Sequence, residues 1–150
     1  MNDKVTLYKD LLRGTMQRVL SNGREWQHFL TVAARFYKYS FADQLLIYAQ
    51  EPSALACAEA YIWQDVLHRV IRCNAKEIAL LTDDSNALAL RYVYNIDETR
   101  AVAGSKPIWI WQLRKQCHSA VSEMLEKNYC VSAENGLREQ LLQIADIVSQ

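Results

Sequence analysis

The first fifty residues place apolar side chains at the spacing of helices that bury one face. Between residues 3–20 an apolar residue recurs every three to four positions, and the same spacing returns over 24–37. Ser40 followed three residues later by Asp43 is typical of a helix N-terminus. A third, largely apolar helix is therefore expected over 41–50.

The middle of the chain changes from helical to alternating patterns. A fourth short helix is predicted over 59–67, followed by strands over 70–71, 78–81 and 88–94. The last two strands flank the run Asp83-Asp84-Ser85-Asn86, which favours a turn and hence a β-hairpin. Alternate residues of the second hairpin strand fall on opposite faces, so one face should be packed and the other exposed to water.

After a predicted loop at 97–107, helical spacing returns over 111–129 and 135–148. The whole pattern predicts one α+β domain covering residues 1–150, mostly helical, with a small antiparallel sheet between N-terminal and C-terminal helices. Within it we expect four segments: an N-terminal helix at 1–23, a helical core at 24–67, a basic turn with the β-hairpin at 68–96, and the C-terminal helices at 107–150.

Composition narrows the class of protein. The 150 residues are 51% hydrophobic and 23% charged, with only four Gly and two Pro, which excludes a disordered or collagen-like chain. No apolar run approaches the roughly 20 residues that span a bilayer, and the N-terminus lacks the pattern of a signal peptide. We therefore expect a soluble, cytoplasmic protein without membrane contact, whose four cysteines are reduced thiols.

The sequence offers little catalytic chemistry. Its glycines stand apart from one another, whereas a phosphate-binding loop needs them clustered, and there is no G-x-S-x-G nucleophile motif. The cysteines and histidines do not follow a zinc-site spacing. Two carboxylate pairs, Asp83-Asp84 and Asp97-Glu98, fall in predicted turns, where such residues are usually solvated. We expect no catalytic residue, no metal, no cofactor and no enzymatic activity.

The net charge of zero conceals an uneven distribution along the chain. Residues 1–50 carry seven basic and four acidic side chains, residues 51–100 carry five and eight, and residues 101–150 carry five of each. Basic residues stand beside tyrosines near position 38, and again around the predicted hairpin. Cations interleaved with aromatic rings suit single-stranded nucleic acid, because the cations bind phosphates and the rings stack on bases.

Two strings in the sequence resemble a known family. Residues 39–58 read YSFADQLLIYAQEPSALACA, and residues 69–80 read RVIRCNAKEIAL. Together they resemble the ArdC-type N-terminal domain, the single-stranded-DNA-binding module of antirestriction proteins, in the version found on conjugative elements of Firmicutes. The resemblance extends over about residues 26–148. It implies a non-enzymatic DNA-binding module of a mobile genetic element.

The resemblance also has departures. The matching positions of the two blocks are Tyr39, Phe41, Gln44, Leu45, Leu46, Arg69, Arg72, Ala75 and Lys76. Cys73 stands where the family has a basic residue, and Glu77 stands where it has a glycine. These two changes remove one cation and add one anion near the expected phosphates, which predicts weaker, less salt-dependent DNA binding.

The residues expected to contact nucleic acid combine the resemblance with the basic and aromatic pattern. They are Lys38, Tyr39, Gln44, Arg69, Arg72, Lys76, Arg91 and Tyr92. A second hypothesis is an anti-restriction or anti-CRISPR inhibitor that binds a host defence nuclease by protein–protein contact. A third is a scaffold or dimerisation domain that uses the amphipathic segment 135–148.

Overall fold

The computed structural model describes residues 3–84, 87–110 and 112–148. Three helices form the N-terminal part: α1 (Asp3–Ser21), α2 (Gly23–Ala33) and α3 (Phe41–Gln50). The second is shorter than the predicted 24–37, because a 3-10 turn, Ala34–Phe36, follows Ala33. The side chain of Asn22 accepts hydrogen bonds from the amides of residues 24 and 25, and so caps the start of α2. Ser40 caps α3 in the same way, as its spacing from Asp43 predicts.

Two small antiparallel sheets follow. The first has the order β1 (Cys57–Ala58), β4 (Ala87–Asn95), β3 (Glu77–Asp84), and the second pairs β2 (Arg69–Ile71) with β5 (Thr99–Ala101). The β3–β4 pairing confirms the predicted hairpin, but β3 continues to Asp84, so Asp83 and Asp84 are strand residues rather than part of the turn. Ser85 and Asn86 lie outside the described residues.

The short helix predicted over 59–67 is present over 60–66, but its last five residues, Ile62–Val66, are π-helical rather than α-helical. The prediction of a loop over 97–107 is wrong in part, because that segment contains the strand β5, which is recognisable only once β2 pairs with it. Strand β5 is too short to show a period, so tertiary contacts decide its structure.

The hydrophobic core lies between the three helices and one face of the larger sheet. Its helical part includes Phe29, Leu45 and Leu46, and its sheet part includes Ile78 and Val93. Because Val93 is buried, the packed face of β4 is the one that also carries its odd-numbered neighbours. The α+β class, mostly helical with a small antiparallel sheet, is confirmed.

The chain divides into two compact units, Met1–Trp111 and Gln112–Gln150. The second unit contains α4 (His118–Tyr129) and α5 (Leu137–Val148), joined by a short connection. Helix α4 thus starts later than the predicted 111–129, and Trp111 lies outside the described residues. Gln140 is fully buried and donates to the Ser122 and Val131 carbonyls. Among residues 3–84, 87–110 and 112–148, no helix has the length and apolar character needed to span a bilayer.

Candidate functional site

Tyr39 and Gln44, two of the eight residues expected to contact nucleic acid, form hydrogen bonds that join parts of the fold. The Tyr39 hydroxyl donates to the Cys57 carbonyl at 2.8 Å. The Gln44 amide donates to the carbonyls of Phe36 and Tyr39, at 2.9 and 3.1 Å. These bonds tie the segment before α3 to α3 itself and to β1. The polar residues of the YSFADQLL string therefore have structural roles.

The Arg91 side chain contacts two carboxylates and one aromatic ring. Its guanidinium donates to Asp43 Oδ2 at 2.7 Å and to Glu59 Oε1 at 3.4 Å. It also lies over the Tyr39 ring, 5.8 Å from the ring centroid. The Asp43 side chain is only 10% exposed. Arg91 thus neutralises a buried carboxylate at the start of α3, and this contact leaves it poorly placed to bind phosphate.

Burial raises the pKa values of Tyr39 and Cys57, two residues that are joined by the hydrogen bond from the Tyr39 hydroxyl to the Cys57 carbonyl. Removal from water raises the pKa of the Tyr39 phenol to about 12, with a further rise from Cys57. Burial likewise raises the pKa of the Cys57 thiol to about 12. Both groups are neutral acids in the folded chain, and their ordinary pKa values of 10 and 9 apply when the chain unfolds.

Stability should therefore fall at alkaline pH. The unfolded chain releases these protons first, so their contribution is complete below pH 9 and is lost as the pH rises toward 12. Urea unfolding followed by circular dichroism across this range measures the loss. Cys57→Ala should remove the part of the decline that starts near pH 9. An identical pH profile for that variant would contradict a raised pKa for the half-buried Cys57 thiol.

Two further expected phosphate ligands have partners within the protein. The Lys76 ammonium donates to the Gln50 carbonyl at 3.0 Å and pairs with Glu51 at 3.3 Å. Arg69 Nε donates to Thr99 Oγ1 at 2.8 Å. Lys76 is thereby held at the C-terminal end of α3, and Arg69 is directed toward the buried side of the β2–β5 sheet.

The remaining three expected residues are exposed. Lys38 lies with its ammonium 5.8 Å from the centroid of the Tyr37 ring. Tyr92 is exposed on β4, opposite Ala79 of β3. Arg72 directly follows β2. The eight residues therefore do not form one surface. Tyr39, Gln44 and Arg91 are engaged inside the fold, Lys76 and Arg69 each have a hydrogen-bond partner, and the side chains of Lys38, Tyr92 and Arg72 are exposed.

Arg72 belongs to a continuous two-stranded surface. Its amide donates to the Glu98 carbonyl at 2.9 Å, one residue beyond the β2–β5 ladder, where Glu98 ends the 3-10 turn Ile96–Glu98. Within the ladder Val70 is opposite Arg100. Because strand residues alternate between faces, Val70, Arg72 and Arg100 share one face, and all three are exposed. The other face carries the buried Thr99.

We call this exposed face, together with Lys106, the basic ribbon. Lys106 follows β5 and is fixed there, since its amide donates to the Leu67 carbonyl at 3.0 Å. Arg72, Arg100 and Lys106 form no ion pair with any described residue. Glu98 lies opposite Arg72 without pairing to it. Diagonal neighbours in a ladder lie about 7–8 Å apart, so Arg72 and Arg100 can bind one anion between them.

Sequence reasoning missed Arg100 and Lys106 because both fall in the predicted loop at 97–107. A three-residue strand has no period of its own to detect. The only local signal is Thr99 with Val102, β-branched residues on either side of the missed arginine. Pairing with β2, which lies about thirty residues earlier, brings these cations beside Arg72.

The two departures from the family pattern also have defined positions. Glu77 opens β3, where its carboxylate accepts a hydrogen bond from the Tyr94 hydroxyl at 2.9 Å. That hydrogen bond raises the pKa of Tyr94. Cys73 is exposed in the turn after Arg72. The extra carboxylate is therefore engaged on the larger sheet, and it forms no ion pair with the described cations of the ribbon.

A cleft on the helical part and the metal-binding residue types are weaker candidates for a functional site than the basic ribbon. A shallow cleft of about 250 Å³ is lined by His28, Thr31, Val32, Arg35, Tyr48 and Pro52. Its arginine already donates to the Ala54 carbonyl at 3.1 Å. Its volume lies below the range usual for small-molecule sites. In the described part of the chain, no three His, Cys, Asp or Glu residues are grouped to hold a metal ion.

Comparison with known proteins adds no relative. The sequence matches no protein-family model, and searches for similar curated proteins and similar solved structures find no match. The resemblance to the ArdC-type domain stays a prediction from the two sequence strings. The function of this chain is therefore proposed from the positions and partners of its own residues.

Proposed function

We propose that this chain is a non-enzymatic, cytoplasmic protein that binds single-stranded DNA through the basic ribbon. The observation that carries the proposal is the pair Arg72 and Arg100, exposed on one face of the β2–β5 ladder without an ion pair among the described residues. Two guanidinium groups side by side repel each other, and a phosphate between them relieves that repulsion while accepting hydrogen bonds from both.

The ribbon also suits an extended ligand. The Lys106 amide is held at the Leu67 carbonyl, two residues before β2 begins, so a strand that follows β2 from Arg72 passes near a further exposed cation. Arg72 lies in the basic string that resembles the ArdC-type domain, which supports the same ligand. By that resemblance, the proposed setting is antirestriction on a mobile genetic element.

Reversing the charge of the ribbon should abolish most of this binding. For single strands each phosphate contact contributes about 0.7 to the slope of log affinity against log salt. The double variant Arg72→Glu/Arg100→Glu removes two contacts, so we expect a loss of about 25-fold or more near 0.1 M salt and a slope smaller by about 1.4. Fluorescence anisotropy with a labelled oligothymidine at several salt concentrations measures both.

Two control variants make this experiment specific. Lys9→Glu/Arg24→Glu makes the same change in net charge at exposed positions of α1 and α2, and should keep the affinity within about threefold. Glu98→Gln neutralises the residue whose carbonyl accepts the Arg72 amide hydrogen bond and should tighten binding. No binding by the wild-type protein at low salt, or equal losses in both charge-reversal variants, would refute the proposal.

A second function is favoured by a separate observation on α5. Leu141 and Leu142, which are adjacent on the helix, are each about half exposed, although they are large aliphatic residues. Exposed aliphatic clusters mark protein-binding surfaces. This supports the alternative of an anti-restriction or anti-CRISPR inhibitor that binds a host nuclease. A stoichiometric complex with a purified nuclease should then persist at high salt, where electrostatic DNA binding is lost.

A further inference from the structure

Trp109 is the most exposed large hydrophobic side chain in the described part of the chain, at 83% of its surface. Single exposed hydrophobic residues are common on proteins and do not by themselves indicate a site. An exposure this high is unusual for tryptophan, because its large ring is mostly buried in folded proteins. Its position on the chain therefore matters more than its exposure.

The exposure of Trp109 follows from how its segment is held. Its two neighbours, Ile108 and Ile110, are half-buried, while the tryptophan between them is exposed. This alternation of half-buried and exposed side chains is the pattern of an extended segment, in which successive side chains point in opposite directions. The two isoleucines thus anchor the backbone on the protein, and the same geometry holds the indole ring outward.

This segment begins at the basic ribbon. Lys106 is fixed by its hydrogen bond to the Leu67 carbonyl, and Trp109 follows three residues later. Three residues span at most about 11 Å, and Pro107 restricts the backbone between them. The exposed ring therefore lies within the length of a short oligonucleotide from the cation of Lys106.

We propose that Trp109 stacks on an unpaired base of the strand whose phosphates bind the basic ribbon, which gives the ribbon its preference for single strands. This inference rests on the proposed function. An indole ring offers a large flat surface with few rotatable bonds, so ordering it on a base loses little conformational entropy. In a duplex both faces of each base are covered by neighbouring bases, so the ring has no equivalent surface to contact.

The test compares Trp109→Ala with Trp109→Phe, which retains a smaller ring. We expect the alanine variant to bind an oligothymidine about tenfold more weakly and the phenylalanine variant to lose less. Affinity for a duplex of the same length should stay the same for both. Because no charge is removed, the salt slope should match that of the wild type.

A second readout reports the ring directly. Oligothymidine should quench part of the wild-type tryptophan fluorescence, and this quenching should be absent in Trp109→Ala. Leu20→Ala is the matched control, since it truncates another exposed side chain on α1 and should change neither affinity nor quenching. The melting temperature checks that each variant is folded, and exposed positions of this kind should leave it nearly unchanged.

The outcomes separate this inference from the proposed function. Wild-type affinity in Trp109→Ala, together with lost affinity in Arg72→Glu/Arg100→Glu, would overturn the stacking role and leave phosphate binding in place. Equal losses for single strands and duplex in Trp109→Ala would also overturn it, since stacking acts only on unpaired bases. No binding by the wild-type protein would refute both.

Discussion

Replacing Trp63 with alanine should lower the free energy of unfolding by about 4 kcal/mol. Trp63 is the largest fully buried side chain among the described residues, and it lies in the π-helical turn Ile62–Val66. Its indole nitrogen donates to the Tyr94 carbonyl at 2.9 Å. Truncation therefore removes a large buried apolar surface and leaves a cavity between this turn and β4. Urea unfolding followed by circular dichroism measures the change.

The variant Trp63→Phe separates packing from hydrogen bonding. Phenylalanine keeps much of the buried ring but cannot donate to the Tyr94 carbonyl. The loss should then be nearer 1–2 kcal/mol, about the value of one hydrogen bond plus a smaller ring. If Trp63→Ala were as stable as the wild type, the turn would have to be solvated, contrary to the burial of its tryptophan.

The second large effect is expected at Arg91. Arg91→Ala leaves the Asp43 carboxylate buried without its cation, and breaking a buried ion pair in this way costs about 3–5 kcal/mol. Because the Arg91 side chain is still 31% exposed, water reaches part of the site, and we expect about 3 kcal/mol. Chemical unfolding at neutral pH measures it.

Two matched variants identify the cause. Glu59→Gln removes the weaker, 41% exposed partner of Arg91 and should cost less than about 1 kcal/mol. The double variant Asp43→Ala/Arg91→Ala removes both members of the short pair, so no buried charge is left alone. It should be more stable than the sum of the two single changes predicts, by at least about 1 kcal/mol. Simple additivity would show that the pair does not couple.

The periodic parts of the fold could be predicted from sequence. Helices α1 and α3 match their predicted ranges closely, because an apolar residue every three to four positions is a direct signal of helix. The strands β3 and β4 were likewise visible, the first as a short apolar run and the second as an alternating one, on either side of a polar segment. The start of α4 was placed too early, since the apolar residues before His118 continue its spacing without forming helix.

The candidate site was less predictable. The sequence shows which residues are cationic or aromatic, but their partners come from distant segments. Arg91 forms an ion pair with Asp43, which lies forty-eight positions earlier in the chain, and Lys76 pairs with Glu51, which lies twenty-five positions earlier. Of the expected basic residues after position 67, only Arg72 lies without a partner on the basic ribbon. Its neighbour Arg100 was not among the expected residues at all.

The amino-acid sequence by itself determined the helices, the hairpin strands and the α+β class, because each depends on a pattern repeated within one segment. Only the tertiary structure decided which charges are engaged and which are exposed. Pairing β2 with β5 places Arg100 beside Arg72, and packing α3 against β3, the partner strand of β4, brings Asp43 to Arg91. Electrostatic partners are set by distance in space, and residues far apart in the chain carry no local signal of that distance.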